Sequence, residues 1–272
     1  MTDDQSSKYA APALEKGLDI LELLSGHPNG LTQKEIANAL GRSVSQIFRM
    51  VSVLRERRYI EQIGESDIYA LTSKLFALAH RAPRNQKLIS EALPRLKYIA
   101  QKCLQSCHIA VFHQGELLIV EQVDSPEKIG YHVDSGALFD FFESSSGNVI
   151  FAYRDEAGQK KMFQDLPTTA KGKISERTLY ERVQTIRREG MEEHDSDVIL
   201  GVRNLSLPIF DYTGQAVAAL TVPYLFKRFG QEQMPIEEVR SLSIAAAREL
   251  SLAMGALEES LADWDAKVSR RL

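Results

Sequence analysis

Cysteine is scarce in this 272-residue chain, and so are long apolar stretches. There are two cysteines, Cys103 and Cys107, which excludes a secreted scaffold stapled by disulfides. The longest apolar runs, such as residues 216–222, fall far short of the roughly 20 residues a membrane span needs. The opening residues 1–7 are polar and acidic, without the apolar core of a secretory leader. A cytoplasmic protein with no membrane partner is expected. Metal chemistry is not indicated either. Cys103, Cys107 and His108 are neighbours, but His27, His80, His113, His132 and His194 are scattered, and a metal needs three or four convergent ligands. Two buried thiols are the expected reading. No phosphate-binding glycine loop and no nucleophile-elbow motif occur, and Ser144-Ser145-Ser146-Gly147 does not supply one. No catalytic residue and no cofactor is expected.

The net charge of −4 hides a local excess of base. Residues 1–84 hold 11 Lys and Arg against 10 Asp and Glu, and the remainder holds 22 against 27. Within the front part, residues 42–58 carry five arginines and one glutamate. A basic stretch confined to one segment is the electrostatic footprint of a nucleic-acid contact.

That segment lies in a run of short helices. Leu14, Leu18, Leu21 and Leu24 recur at spacings of four and three, which predicts a first helix buried along that stripe. Residues 26–30 break it. Thr32 and Glu35 form a capping box that starts a second helix burying Ile36, Ala37 and Leu40, with Gly41 as its C-terminal glycine. Ser43 and Gln46 repeat the box three residues after Leu40, and two helices joined so tightly predict a helix-turn-helix. On the third helix Val44, Ile47, Phe48, Val51 and Leu54 share one face and are expected in the core.

Ser45, Gln46 and Arg49 fall on the opposite face, as base readout requires, although Gln46 could equally serve only as a cap. Arg42, Arg55, Arg57 and Arg58 suit phosphates. Thr32, Gln33 and Ser43, at the starts of the second and third helices, complete the expected DNA-facing set. Residues 59–63 and 68–71 alternate around a turn at 64–67, which predicts a hairpin wing.

Ser73 is placed to cap a short helix over 74–81, ending at Ala82-Pro83. The division predicted is a DNA-binding domain with linker helix at 1–83 and an effector-binding domain at 84–272. In the second part a helix over 87–105, bent at Pro94, precedes strands at 108–112, 117–123 and 128–133. Helices are expected at 146–153 and 178–188, a hairpin at 205–210 and 215–222, and a closing helix over about 235–261. Interleaved helices and strands around one antiparallel sheet predict an α+β domain.

These features together resemble the IclR family of bacterial regulators over almost the whole chain. Residues 41–49 stand at the family's turn and recognition helix, and Arg57-Arg58-Tyr59-Ile60 and Tyr69-Ala70-Leu71 at its wing. Gly136, Gly147, residues 187–190, Gly201, Pro208, Gly214 and Ala218-Ala219-Leu220 match its second domain. The resemblance implies a GAF-like sensor domain, homodimers or homotetramers, a palindromic double-stranded DNA operator, and a small-molecule effector. RNA polymerase is a further candidate partner. Carried over by position, the effector residues would be Phe142, Ser145, Ser146, His194, Asn204, Thr221 and Pro223.

Two serines before a helix suit an anion, and His194, at a position where the family is often acidic, tolerates a carboxylate. The expected effector is therefore a small organic acid, aromatic acids among the candidates. Alternation separates Phe139 and Phe141 from Phe142, so they cannot all line one pocket; they could instead be core or interface residues. Asp140, Phe142 and Asn148 depart from the family's usual residues, which implies a ligand unlike those of better-known members. The competing readings are a winged helix used for protein contacts, with a sensor domain that binds nothing, and a small-molecule enzyme.

Overall fold

A computed structural model describes residues 11–79, 83–167, 176–227 and 233–271. The chain divides into two compact units, Met1–Pro83 and Arg84–Leu272. Among the described residues, no helix is long and apolar enough to cross a membrane.

In the first unit α1 (Pro12–Ser25), α2 (Gln33–Ala39) and α3 (Val44–Glu56) surround a small core. Ile20, Leu24, Ile36, Ala37, Ile47, Val51, Ile60 and Tyr69 fill it. Two parts of the expected stripes lie outside. Leu14 and Leu18 are 62% and 47% exposed, because α1 turns Ile20 inward with Leu24 of the expected stripe. Val44 and Phe48 are 41% and 54% exposed, because Ile47 and Val51, with Met50 and Leu54 half-buried beside them, complete the core-facing side of α3.

The turn between α2 and α3 is built as anticipated. Gly41 adopts φ +61°, its N–H donates to Asn38 O, and Arg42 N–H donates to Ala37 O at 2.8 Å. This is a Schellman closure, which needs the left-handed conformation that glycine adopts without strain. The wing strands β2 (Ile60–Gln62) and β3 (Ile68–Leu71) are joined by a third, β1 (Leu31–Thr32), giving sheet order β1-β3-β2. Two residues are too few to show an alternating pattern, so β1 leaves no mark in the sequence. At α4 (Lys74–Ala79) the side chain accepting from Lys74 N–H is Thr72 rather than Ser73. The expected end of that helix lies outside the described residues.

The second unit is a six-stranded antiparallel sheet with helices on both faces. Its strands are β4 (Cys107–His113), β5 (Glu116–Val123), β6 (Leu138–Asp140), β7 (Glu192–Asp195), β8 (Val202–Phe210) and β9 (Ala216–Leu225), in the order β6-β5-β4-β9-β8-β7. Alternation assigns the faces. Ile109, Leu205, Leu207, Ile209, Leu220 and Val222 pack against α5 (Pro83–Cys103), α9 (Ile236–Ala253) and α10 (Glu258–Val268). Ala110, Leu117, Ile119 and Ala219 pack against α6 (Ser145–Ala152), α7 (Glu156–Asp165) and α8 (Glu176–Glu189).

Several expectations need correction here. Residues 128–133 form no strand. The stretch contains Gly130, where a Cβ would meet that of Ser125 at 3.0 Å, and Ser106 Oγ donates to Tyr131 O, fixing it as an irregular segment. The edge strand is instead β6. The closing helix is two helices, interrupted at Gly255 with φ +100°. Helix α7 and strand β7 were not anticipated. Strand β7 reads Glu-Glu-His-Asp, which has no apolar alternation to signal it.

Candidate functional site

The surface expected to face DNA is assembled by α3 and the turns that flank it. Ser45, Gln46 and Arg49 are exposed on α3, with Arg49 forming no ion pair among the described residues. Gln46 is partly committed, since its side-chain oxygen accepts from Ser43 N–H at 3.0 Å. Ser43 Oγ and Ser45 Oγ share a hydrogen bond at 3.0 Å.

Arg42 is not a free cation: its guanidinium pairs with Asp19 of α1 at 2.6 Å. Thr32 and Glu35 close the expected capping box, Thr32 N–H donating to the Glu35 carboxylate at 2.8 Å. Those bonds hold the exposed Glu35 carboxyl below its ordinary range. Gln33 reaches the Tyr69 hydroxyl at 3.1 Å and so ties α2 to the wing. Arg55, Arg57 and Arg58 are exposed at the end of α3 and the turn into β2. Arg55 also contacts Gln62 of the wing at 3.3 Å.

In the second unit a cavity of about 180 Å³ opens between the sheet and the N-terminal turn of α6. Ser145, Ser146, His194, Asn204 and Thr221 all line it. The two serines do not precede the helix but form its first turn, and Ser144 caps it, accepting from Gly147 N–H at 3.1 Å. First-turn N–H groups have no acceptor within a helix, and with Gly147 N–H taken by Ser144 those of Ser145 and Ser146 are left for a ligand. Gly147 is required by close approach, since a Cβ there would sit 1.8 Å from Phe141 O.

Two expected residues do not line the cavity. Phe142 is buried among aromatic rings, 5.1 Å from Phe141 and Phe151 and 5.2 Å from Phe163. Strand alternation stops at Asp140, so Phe141 and Phe142 both turn into the core and Phe139 is the phenylalanine at the cavity. Pro223 is buried opposite Asn204 in the β8–β9 pairing.

Other lining residues were not foreseen, among them His108, Tyr131, Asp140, Glu143 and Asp197. No Lys or Arg is among the lining residues. His108 belongs to a polar row that crosses four strands in register. It pairs with Thr221, Thr221 with Ser206, and Ser206 with Glu192. All four are buried. Thr221 Oγ1 bonds Ser146 Oγ at 2.7 Å and Ser206 Oγ at 2.8 Å.

At one end of the row, burial pushes His108 down to about 4 and leaves it neutral, with Nδ1 unpartnered. At the other, burial pushes Glu192 up to about 7, opposed by the Arg182 charge and the Asn148 amide. The sequence signal for this row was slight: Thr221 is a lone polar residue in an apolar strand, but β7 is polar throughout. His194 Nε2 lies 3.5 Å from the Asp197 carboxylate, which Arg182 also approaches at 3.4 Å.

Cys103 and Cys107 are free and buried, and burial pushes both thiols up, the Cys107 thiol contacting Leu96 O at 3.3 Å. Among the described residues no group of three or more His, Cys, Asp or Glu is arranged to hold a metal.

A winged helix-turn-helix followed by a domain with a half-open cavity lined by both apolar and polar side chains defines a class of ligand-binding DNA regulators. Residues 13–64 match the IclR helix-turn-helix domain, and residues 80–252 match the bacterial transcriptional regulator IclR C-terminal domain. The chain belongs to the IclR family. It is 25% identical over 243 residues to the HTH-type transcriptional regulator KdgR of Escherichia coli K12, covering 88% of this chain and 91% of that one. It shares its fold with the Thermotoga maritima IclR structure, at a TM-score of 0.70, 23% identity, and coverage of 89% and 98%. An IclR homologue from Microbacterium hydrocarbonoxydans, complexed with 4-hydroxybenzoate, gives a TM-score of 0.73 at 20% identity, with coverage of 89% and 98%. The family's members are regulators, which removes the enzyme reading.

Proposed function

We propose that this protein binds a palindromic operator as a dimer or tetramer and alters promoter activity when a small organic acid enters the second unit. Ser45 and Arg49 contact bases, with the free amide of Gln46 beside them, and Arg55, Arg57 and Arg58 contact phosphates. The protein works in the cytoplasm, where its operator is. The observation that carries the ligand reading is the first turn of α6 at the cavity, where Ser145 offers its hydroxyl and the first-turn N–H groups of Ser145 and Ser146 have no acceptor within the helix. Asn204 and His194 flank that end. The ring of an aromatic acid would lie against Leu117, Ile119 and Phe139. A homologue of the same fold holds 4-hydroxybenzoate.

A second reading has its own support. Asp140, Glu143 and Asp197 line the cavity and no Lys or Arg does, which favours a neutral ligand. Calorimetric titration with benzoate, hydroxybenzoates and short aliphatic acids separates the two. Binding of an acid supports the first reading; heat only with neutral analogues sinks it. Mobility shift on the DNA upstream of its own gene tests the operator half.

A further inference from the structure

We propose that Phe48, with Val44 one turn before it, reads thymine methyl groups in the major groove beside Arg49. The inference rests on α3 being the DNA-facing helix and adds to it a base-specific apolar contact.

Both residues belong to the expected core stripe of α3, yet the fold leaves them in solvent. Ile47 and Val51 are fully buried, Met50 and Leu54 are half-buried beside them, and Phe48 remains 54% exposed. On a helix turning 3.6 residues per turn, Phe48, Ser52, Ser45 and Arg49 fall within an arc of about 100°, with Val44 at its edge. Phe48 therefore lies between the buried edge at Val51, about 60° away, and Arg49, about 100° away, and its exposure leaves the ring on the solvent side of that boundary.

An exposed aromatic ring here needs a partner that also accepts its surroundings. Arg49 is the next residue, Arg55, Arg57 and Arg58 follow, and residues 42–58 hold five arginines against one acid. That charge selects a polyanion. The apolar feature a polyanionic duplex displays in its major groove is the thymine C5-methyl, which a phenylalanine ring can contact. Phosphates and base polar edges offer the ring nothing comparable. Arg49 would thus recognise a guanine while Phe48 recognises a thymine near it.

The test uses the full-length protein and a duplex that it selects from a random library. Dissociation constants are measured by fluorescence anisotropy on that duplex and on copies with each thymine replaced, one symmetric pair at a time, by deoxyuridine. Deoxyuridine pairs like thymine and lacks only the methyl. We expect one or two positions per half-site at which methyl loss weakens wild-type binding, by about fourfold per methyl, the value of one buried methyl-sized group. Phe48→Ala should bind the thymine and uridine duplexes alike, and Phe48→Leu should show intermediate sensitivity. Arg49→Lys should weaken binding but keep the methyl sensitivity.

Equal wild-type binding to all uridine duplexes overturns the proposal, as does undiminished methyl sensitivity in Phe48→Ala. If Phe48→Ala instead shifts the oligomeric state in sedimentation and leaves methyl sensitivity intact, the patch covers a second copy of the chain and the proposal is wrong. Failure of the wild-type protein to select any sequence is a different result, and it removes the DNA-facing reading of α3 itself.

Discussion

Ser146 on α6 and Thr221 on β9 bond through their hydroxyls at 2.7 Å, and Thr221 bonds Ser206 on β8 at 2.8 Å. One threonine thus serves two buried serines, of which Ser146 lines the cavity. Thr221→Val keeps the shape and deletes the shared oxygen, which leaves both serine hydroxyls without that partner. Buried polar groups left unpaired cost about 1–3 kcal/mol. Urea unfolding should show a loss of that size, while Thr221→Ser should retain most of the stability. A Thr221→Val protein as stable as wild type would mean the serines find other partners.

The two ends of the same row titrate in opposite directions. Burial raises Glu192 to about 7, so the folded state holds a proton that the unfolded state has released above pH 4.5. Its contribution to stability is therefore lost as pH rises from about 4.5 to 7. Glu192→Gln should gain on wild type across that window, by on the order of 3 kcal/mol, and then level off. His108 is lowered to about 4, so the unfolded state takes up a proton first as pH falls below 6.5. Its neutral burial costs stability between about pH 6.5 and 4, and His108→Gln should gain on wild type over that range. Urea unfolding of the three proteins from pH 4 to 8 checks both signs; two parallel curves would show that neither group is held as buried.

These four residues show what sequence could and could not reveal. The helix-turn-helix was legible because its signals are local: the Thr32–Glu35 capping box, Gly41 at the turn, and the hairpin that follows Tyr59. In the second unit the β8–β9 hairpin and α6 were legible for the same reason. The polar row was not, since His108, Thr221, Ser206 and Glu192 become neighbours only through strand register. Periodicity also misplaced Phe48 and Leu14. A period finds the apolar positions of a helix, but the number that fit inside depends on how much core the other elements leave. Phe142 failed differently: it was carried over by position from the family, and the strand ends at Asp140, two residues before it, so its ring turns into the core.

Arg42 and Arg58 are both arginines of the basic segment, yet only one is free to meet a phosphate. Arg42 is paired with Asp19 and half-buried, whereas Arg58 is exposed and held through its backbone, its N–H donating to Arg55 O and its carbonyl accepting from Thr72 Oγ1. Arg58→Ala should lower the slope of log affinity against log salt by about 0.9, the value of one lost phosphate contact. Arg42→Ala should leave the slope nearly unchanged and lower the stability of the first unit by about 0.2–1 kcal/mol, as partly exposed ion pairs do. Anisotropy at several salt concentrations, with thermal unfolding alongside, separates the roles. An equal fall in slope for both variants would place Arg42 on DNA despite Asp19.

Arg49 carries the heaviest demand. It is exposed near the centre of the outward face of α3, and an arginine bonded in bidentate fashion to guanine is worth about 1–3 kcal/mol of discrimination against another base. In a symmetric dimer the loss applies twice, once per half-site. Arg49→Ala should therefore reduce affinity for the selected duplex to that for random DNA, while its unfolding midpoint stays at the wild-type value. Because Arg49 lies in the first unit and the cavity is built wholly from the second, titration of an effector should give the wild-type heat. Retained operator affinity would move base recognition off Arg49 and onto the remaining side chains of that face.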